Sequence, residues 1–138
     1  MSSQHQFQNP LTKELIVEKC KKQNFNEIKN INLWGTNLDD ISVIKQLINL
    51  EVVSLSVNQI QTLHDFKGCS RIQELYLRKN NVCDLNEIYN LQNLKSLKVL
   101  WLSDNPCAQD NIYRPFIIKT LPQLVKLDSQ EISEDERK

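Results

Sequence analysis

The most informative part of the sequence is residues 72–82, which read Ile-Gln-Glu-Leu-Tyr-Leu-Arg-Lys-Asn-Asn-Val. Around Leu75 and Leu77 the leucines alternate with other residue types, as they do along a β-strand with one buried face. Asn80 follows where the chain must bend away from that strand. Such a bend leaves backbone N–H and C=O groups inside the fold, and an asparagine amide can satisfy both kinds. The segment therefore predicts a short strand that ends in an asparagine-supported turn.

The same pattern occurs four times, in copies that begin at Ile28, Leu50, Ile72 and Leu97 and are 22, 22 and 25 residues apart. A period of roughly 20–29 residues is typical of leucine-rich repeats, which stack because one repeat cannot bury its own apolar face. Behind each strand, apolar residues recur every three positions, which favours 3₁₀ or short helical turns. We predict an α/β solenoid with a concave parallel sheet, convex 3₁₀ or helical turns, and helical caps at both ends. The three extra residues before Leu97 are expected on the convex side.

The repeats divide the chain into four parts. We expect a flexible N-terminal tail over residues 1–10, an N-terminal helical cap over 11–27, the repeats over 28–110 and a C-terminal cap over 111–138. Thr12 can N-cap the first helix, and Pro115 is tolerated near the start of the helix in the second cap. Ser133 and Glu136 form a Ser-x-x-Glu capping box, which predicts the start of a further helix. A helix that begins so close to the last residue suggests a chain cut from a longer one.

The turn position of each repeat is expected to form a ladder along the solenoid. Its members are Thr36, Asn58, Asn80 and Asn105. Because the first repeat carries threonine instead of asparagine, we expect the ladder to weaken at that edge. Loss of one asparagine should leave buried backbone groups without partners and cost about 1–3 kcal/mol.

Outward strand positions point to the concave face, where we expect a protein partner to bind. Both tryptophans of the chain fall there, together with a tyrosine and an arginine, the residue types that dominate binding hot spots. The predicted partner-binding residues are Trp34, Val52, Ser54, Val57, Glu74, Tyr76, Arg78, Val99, Trp101 and Asp104. In the alternative interpretation, the aromatic side chains stack on one another across strands and only cover the sheet.

Composition excludes several classes of function. The 17 basic and 17 acidic side chains give a net charge of zero, whereas non-specific binding to nucleic acid or anionic lipid needs a basic excess. No apolar run reaches the roughly 18 residues of a membrane-spanning helix, so we expect no membrane insertion. The two glycines, Gly35 and Gly68, are too few for a phosphate-binding loop. We therefore expect neither nucleic acid nor membrane among the partners.

Catalytic and metal-binding patterns are also missing from the sequence. His5 and His64 have no neighbouring serine or cysteine arrangement that suggests a catalytic triad. The cysteines are widely spaced and form no Cys-x-x-Cys pair, so we expect free thiols and no zinc site. We predict no catalytic residue, no metal and no cofactor.

Three strings of the chain resemble the cilia- and flagella-associated protein 410 family. They are Leu50-Glu-Val-Val-Ser-Leu-Ser-Val-Asn58, Glu74-Leu-Tyr-Leu-Arg-Lys-Asn80 and Val99-Leu-Trp-Leu-Ser-Asp-Asn-Pro-Cys107. The Trp34-Gly35 pair, Tyr113-Arg114 and the stretch from Leu121 to Asp128 fit the family too. The resemblance implies a non-enzymatic protein of the cytoplasm and cytoskeleton, placed at the basal body or ciliary base and needed for cilium assembly. It also implies a NIMA-related kinase as a partner and a C-terminal helical oligomerisation segment, which we expect to be absent from this chain.

Two other interpretations remain open. The first is a related leucine-rich repeat adaptor, either of the spliceosomal A-prime type that grips an RNA-binding protein or of the axonemal dynein light-chain type. The second is a phosphatase-regulating or enzymatic subunit. A regulator of that type usually has many more repeats than four, and an enzyme needs convergent polar residues that this sequence does not display.

Overall fold

A computed structural model describes residues 8–138 and contains one six-stranded sheet whose strands follow chain order. The strands are β1 (Asn30–Asn32), β2 (Val52–Ser54), β3 (Glu74–Tyr76), β4 (Val99–Trp101), β5 (Lys126–Leu127) and β6 (Gln130–Glu131). Neighbours pair in parallel from β1 to β5, and β6 returns antiparallel to β5. The register aligns the central, buried residue of each of the first four strands, Ile31, Val53, Leu75 and Leu100. The predicted solenoid with a parallel sheet is confirmed.

The convex side consists of short 3₁₀ segments. Within the described residues they are Phe25–Glu27, Ser42–Gln46, His64–Phe66, Leu85–Leu91 and Pro106–Gln109. Leu85–Leu91 is the longest, and it takes up the extra length of the third repeat while β3 and β4 stay in register. Apolar residues from these segments and from the strands form one continuous core, because each coil covers the open face of its neighbour.

Each repeat leaves its strand through a residue in the left-handed region of φ. The equivalent residues are Gly35, Val57, Lys79 and Asp104, with φ of 67°, 61°, 59° and 61°. Glycine adopts this conformation freely, whereas a β-branched residue such as valine does so only at a cost. Val57 is therefore a strained residue at the edge of the concave face.

The turn residues next to this column form the ladder along the solenoid. The amide of Asn80 donates to the carbonyls of Leu55 and Leu77, both at 3.0 Å, and accepts from the Ile60 N–H at 2.9 Å. Asn58 and Asn105 repeat this arrangement in their own coils. In the first repeat the hydroxyl of Thr36 lies 2.7 Å from the Leu33 carbonyl and 3.1 Å from Oδ1 of Asn58, so it makes fewer bonds than an asparagine.

A helix covers the first coil. Helix α1 (Lys13–Cys20) begins after Thr12, whose side chain accepts from the Leu15 N–H, and it buries Ile16. The expected tail of residues 1–10 falls largely outside the described residues, but its last residues contact the repeats. The Asn9 side chain donates to the carbonyls of Thr36 and Asn37, and the Leu11 N–H bonds to the Asp40 carbonyl.

Two helices and the β5–β6 hairpin close the other end. Helix α2 (Tyr113–Thr120) carries Pro115 in its first turn and buries Ile117 and Ile118. Helix α3 (Glu134–Arg137) begins at the predicted capping box, in which both reciprocal hydrogen bonds of Ser133 and Glu136 are present. Nε of Arg114 lies 2.6 Å from Oε2 of Glu136 and so ties α3 to α2.

Candidate partner-binding surface

The concave face contains a groove of about 370 Å³. Its lining residues are Asn32, Trp34, Ser54, Ser56, Tyr76, Arg78 and Trp101. They occupy two register positions on successive strands: the last residue of the strand and the residue two places beyond it. The groove thus draws side chains from four consecutive coils, and its shape depends on how those coils stack.

Five of the ten predicted partner-binding residues line this groove, and five do not. The lining residues are Trp34, Ser54, Tyr76, Arg78 and Trp101. Val52, Glu74 and Val99 lie at the first position of their strands, and Val57 and Asp104 lie in the left-handed turn column. The prediction did not include Asn32 and Ser56, which line the groove from register positions equivalent to those of Tyr76 and Arg78. Both residues could have been predicted by choosing every residue at these two register positions, whatever its type.

The exposure of the aromatic side chains differs between the two ends of the groove. Trp34 stands at one end and is 63% exposed. Tyr76 and Trp101 form the other end, where both are half-buried and their ring centroids are 6.5 Å apart with a tilt of 41°. Tyr76 and Trp101 therefore contact each other, as the sheet-covering interpretation expects, whereas Trp34 presents its ring to solvent.

Polar groups at the C-terminal end of the groove pair with one another. The Tyr76 hydroxyl donates to the Glu74 carboxylate, and this hydrogen bond, together with burial, raises the pKa of Tyr76 to about 12. Nε of Arg78 lies 3.2 Å from Oδ2 of Asp104, and the Trp101 indole N–H donates to Oγ of Ser103 at 2.8 Å. Glu74 and Arg78 thus each have a hydrogen-bond or ion-pair partner within the chain. The surface suits binding of an uncharged group.

The two buried thiols, Cys69 and Cys107, are poor nucleophiles. All four cysteines are free. Burial raises the pKa of Cys69 and of Cys107 to about 11, so both are protonated thiols at neutral pH. Within residues 8–138, no three His, Cys, Asp or Glu side chains are placed to hold a metal ion. His64 is exposed on the convex side, and His5 lies outside the described residues.

The acidic pair that follows the first repeat has a structural role. The Asp39 carboxylate accepts from the backbone N–H groups of Gln8 and Asn9, at 2.8 and 2.9 Å. Asp40 accepts from the Ser42 N–H at 2.9 Å. Both carboxylates thus hold backbone at the N-terminal edge of the repeats.

The sequence model of the leucine-rich repeat family matches residues 24–138. Cilia- and flagella-associated protein 410 of Mus musculus is 40% identical over 128 residues, which are 91% of this chain and 51% of that protein. The Homo sapiens protein of the same name is 41% identical over 128 residues, 91% of this chain and 50% of that protein. The chain therefore spans about half the length of these relatives.

Among solved structures, a chain of the Drosophila melanogaster SNF/U2A' complex matches with a TM-score of 0.70 at 22% identity. The match covers 94% of this chain and 89% of that one, and it shows a shared fold. In the described part of the chain, no helix has the length and apolar character needed to cross a bilayer. With the family model matched over residues 24–138 and relatives at about 40% identity, the chain belongs to the leucine-rich repeat family and is related to cilia- and flagella-associated protein 410.

Proposed function

We propose that this chain is a non-catalytic interaction scaffold that binds a protein partner in the concave groove. The observation that carries the proposal is the gathering of Trp34, Tyr76 and Trp101 around one groove. Packing of the sheet does not need a tryptophan that is 63% exposed, because its strand already buries Ile31 and Leu33 on the core side. Exposed aromatic residues in a concave surface are typical of binding sites.

The proposed place of action is the basal body or ciliary base, in support of cilium assembly. The names of the mouse and human relatives support an association with cilia or flagella, and the family resemblance supports the basal body. A NIMA-related kinase is a candidate partner on the strength of the family resemblance. A spliceosomal A-prime-like or axonemal dynein light-chain-like adaptor is the competing proposal, and the partner's identity distinguishes them.

Proximity labelling in ciliated cells tests the proposal. The chain is fused to a labelling enzyme, either unchanged or with Tyr76→Ala and Trp101→Ala together. A matched control is Tyr89→Ala, because Tyr89 is an exposed aromatic on the convex side that packs edge-to-face on Phe116. Thermal melts of the purified variants establish that each remains cooperatively folded.

The expected result is a set of labelled ciliary-base proteins that the double variant loses and the Tyr89→Ala control keeps. Labelling that survives in the folded double variant would refute binding through the concave groove. A labelled set dominated by spliceosomal or axonemal motor proteins would refute the proposed location and favour the competing adaptor.

A further inference from the structure

The aromatic lining of the groove is interrupted at β2. Trp34 in the first coil, Tyr76 and Arg78 in the third and Trp101 in the fourth are large, whereas Ser54 and Ser56 fill the two equivalent positions of the second coil. The serines therefore form the floor of a depression between Trp34 on one side and Tyr76 on the other. This depression, rather than the whole concave face, is the part of the surface shaped to receive a side chain.

The width of the depression fits one aromatic ring. Adjacent strands lie about 4.8 Å apart and successive residues on one strand about 3.3 Å apart. Trp34 and Tyr76 are separated by two strands and two residues, so their backbones lie about 12 Å apart across the sheet. Because side chains stand roughly perpendicular to a sheet, a ring midway between these backbone positions lies about 6 Å from the line of each wall side chain, comparable with the roughly 4.5–7 Å between ring centroids that aromatic pairs prefer.

The floor of the depression offers unused hydrogen-bonding groups. Among residues 8–138, the hydroxyls of Ser54 and Ser56 make no hydrogen bond, and Nδ2 of Asn32 has no acceptor. A wholly apolar guest would cover these groups and leave them without partners, which costs binding free energy. A guest ring that carries its own O–H or N–H would satisfy them.

The charges beside the depression disfavour an ionic guest. Glu74 accepts from the Tyr76 hydroxyl, and Arg78 pairs with Asp104, so each of these side chains already has a partner within the chain. A charged guest would lose its hydration without gaining an ion pair. We therefore expect an uncharged guest to bind better than an ionic one.

Resting on the proposed function, we infer that the depression is a socket for one tyrosine or tryptophan side chain of the partner. The guest ring lies between Trp34 and Tyr76, and its polar tip hydrogen-bonds at Ser54, Ser56 or Asn32. Tyrosine and tryptophan are the side chains that combine a large flat apolar body with a single uncharged polar group.

Nuclear magnetic resonance titration with amino-acid amides tests the socket directly. The probes are N-acetyl-tyrosinamide, N-acetyl-tryptophanamide, N-acetyl-phenylalaninamide and N-acetyl-argininamide, added to the isotope-labelled chain. The expected result is a saturable shift of the Trp34 indole and of the Ser54 and Ser56 amides with the first two probes. Binding of the phenylalanine probe should be about three- to tenfold weaker, the factor expected for one lost hydrogen bond. The arginine probe should give no saturable shift.

Variants that place a large side chain in the socket provide a second test, with a matched control. Ser54→Trp places a ring where the guest would lie and should abolish probe binding, and Ser56→Phe provides a second filling variant. Asn30→Trp is the control, because Asn30 lies on the same face of the sheet as Asn32 but does not line the groove. A thermal melt of each variant establishes that it is folded.

Three outcomes overturn the socket: no saturable shift with any probe, phenylalanine or arginine probes that bind as tightly as tyrosine, or binding that survives both filling variants. These outcomes are distinguishable from a failure of the proposed function. If Tyr76→Ala with Trp101→Ala removes the labelled partners in cells while Ser54→Trp keeps them, concave-face binding stands and the socket is wrong.

Discussion

The effect of Asn80→Ala can be worked out atom by atom. The substitution removes a long hydrogen bond of 3.5 Å to the Arg78 carbonyl, which keeps the Val57 N–H as a donor. It also removes the bonds of three other backbone groups: those to the carbonyls of Leu55 and Leu77 and the one from the Ile60 N–H. Asn80 itself is only 5% exposed, so water does not readily replace its amide. The cost depends on which of the three backbone groups retains another partner.

Both carbonyls keep a second donor after the substitution. Nδ2 of Asn58 still bonds to the Leu55 carbonyl, and Nδ2 of Asn105 to the Leu77 carbonyl, each at 2.9 Å. The Ile60 N–H, in a residue that is 1% exposed, keeps no partner within residues 8–138. One orphaned buried donor accounts for a loss of about 1–3 kcal/mol in the free energy of unfolding.

Counting the backbone groups that lose every partner also ranks the stability of two related variants. Asn105→Ala should cost about 1 kcal/mol more than Asn80→Ala, because it removes the partner of the Val82 N–H and also the donor to the Leu102 carbonyl. Asn58→Ala combined with Asn80→Ala removes both donors to the Leu55 carbonyl. That pair should therefore cost about 1 kcal/mol more than the sum of the single variants.

Urea unfolding followed by circular dichroism measures these differences, and hydrogen exchange of the Ile60 amide measures the local effect. The matched control is Asn81→Ala, whose side chain makes one exposed hydrogen bond to Gln59, and which should change stability by less than about 0.5 kcal/mol. If Asn80→Ala is as stable as Asn81→Ala and the Ile60 amide exchanges no faster, the ladder does not stabilise the solenoid.

Two further predictions concern the turn column and the C-terminal cap. Val57→Asn should raise the free energy of unfolding by about 0.5–1 kcal/mol, because asparagine tolerates a φ of 61° better than valine. Lys79→Val should lower the free energy of unfolding for the same reason. Urea unfolding of the two variants measures these changes. The hydrogen bond from Arg114 lowers the pKa of Glu136 from 4.5 to about 2, so this contact stabilises the cap above pH 4.5 and is lost as the pH falls towards 2. Thermal melts across that range should show a smaller dependence on pH for Glu136→Gln, and equal dependence would contradict the assignment.

The repeats could be predicted from the sequence because their signal is periodic. Leucines that face the core recur at fixed spacing, and the spacing sets both the strand and the turn that follows it. The helix starts in the two caps were predictable because threonine and serine commonly act as N-cap residues, as Thr12 and Ser133 do. The attachment of Asn9 to Thr36 and Asn37 was not predictable. These residues are separated by 27 and 28 positions in the sequence, and hydrogen bonds over such a distance leave no local pattern.

Five of the seven residues that line the groove were among those predicted from the sequence, but the shape of the groove was not predicted. Outward aromatic positions follow from the strand pattern, and Trp34, Tyr76 and Trp101 do line one groove. The depression over Ser54 and Ser56 depends on small residues lying between large ones on neighbouring strands. Cross-strand pairing, such as that of Arg78 with Asp104, depends on side-chain orientation that a linear pattern does not specify.

The ladder and the groove use opposite sides of the same strand ends. Asn80 joins the Leu55 carbonyl of one coil to the Leu77 carbonyl of the next, directly behind Ser54 and Tyr76. Backbone pairing of the strands and the buried amides together hold the walls of the groove at a fixed spacing, and the aromatic side chains need not hold the coils together. It follows that substitutions of Tyr76 and Trp101 can remove binding while the solenoid stays folded. Loss of a ladder asparagine should instead weaken the fold and binding together, since the walls of the groove would no longer be held at a fixed distance.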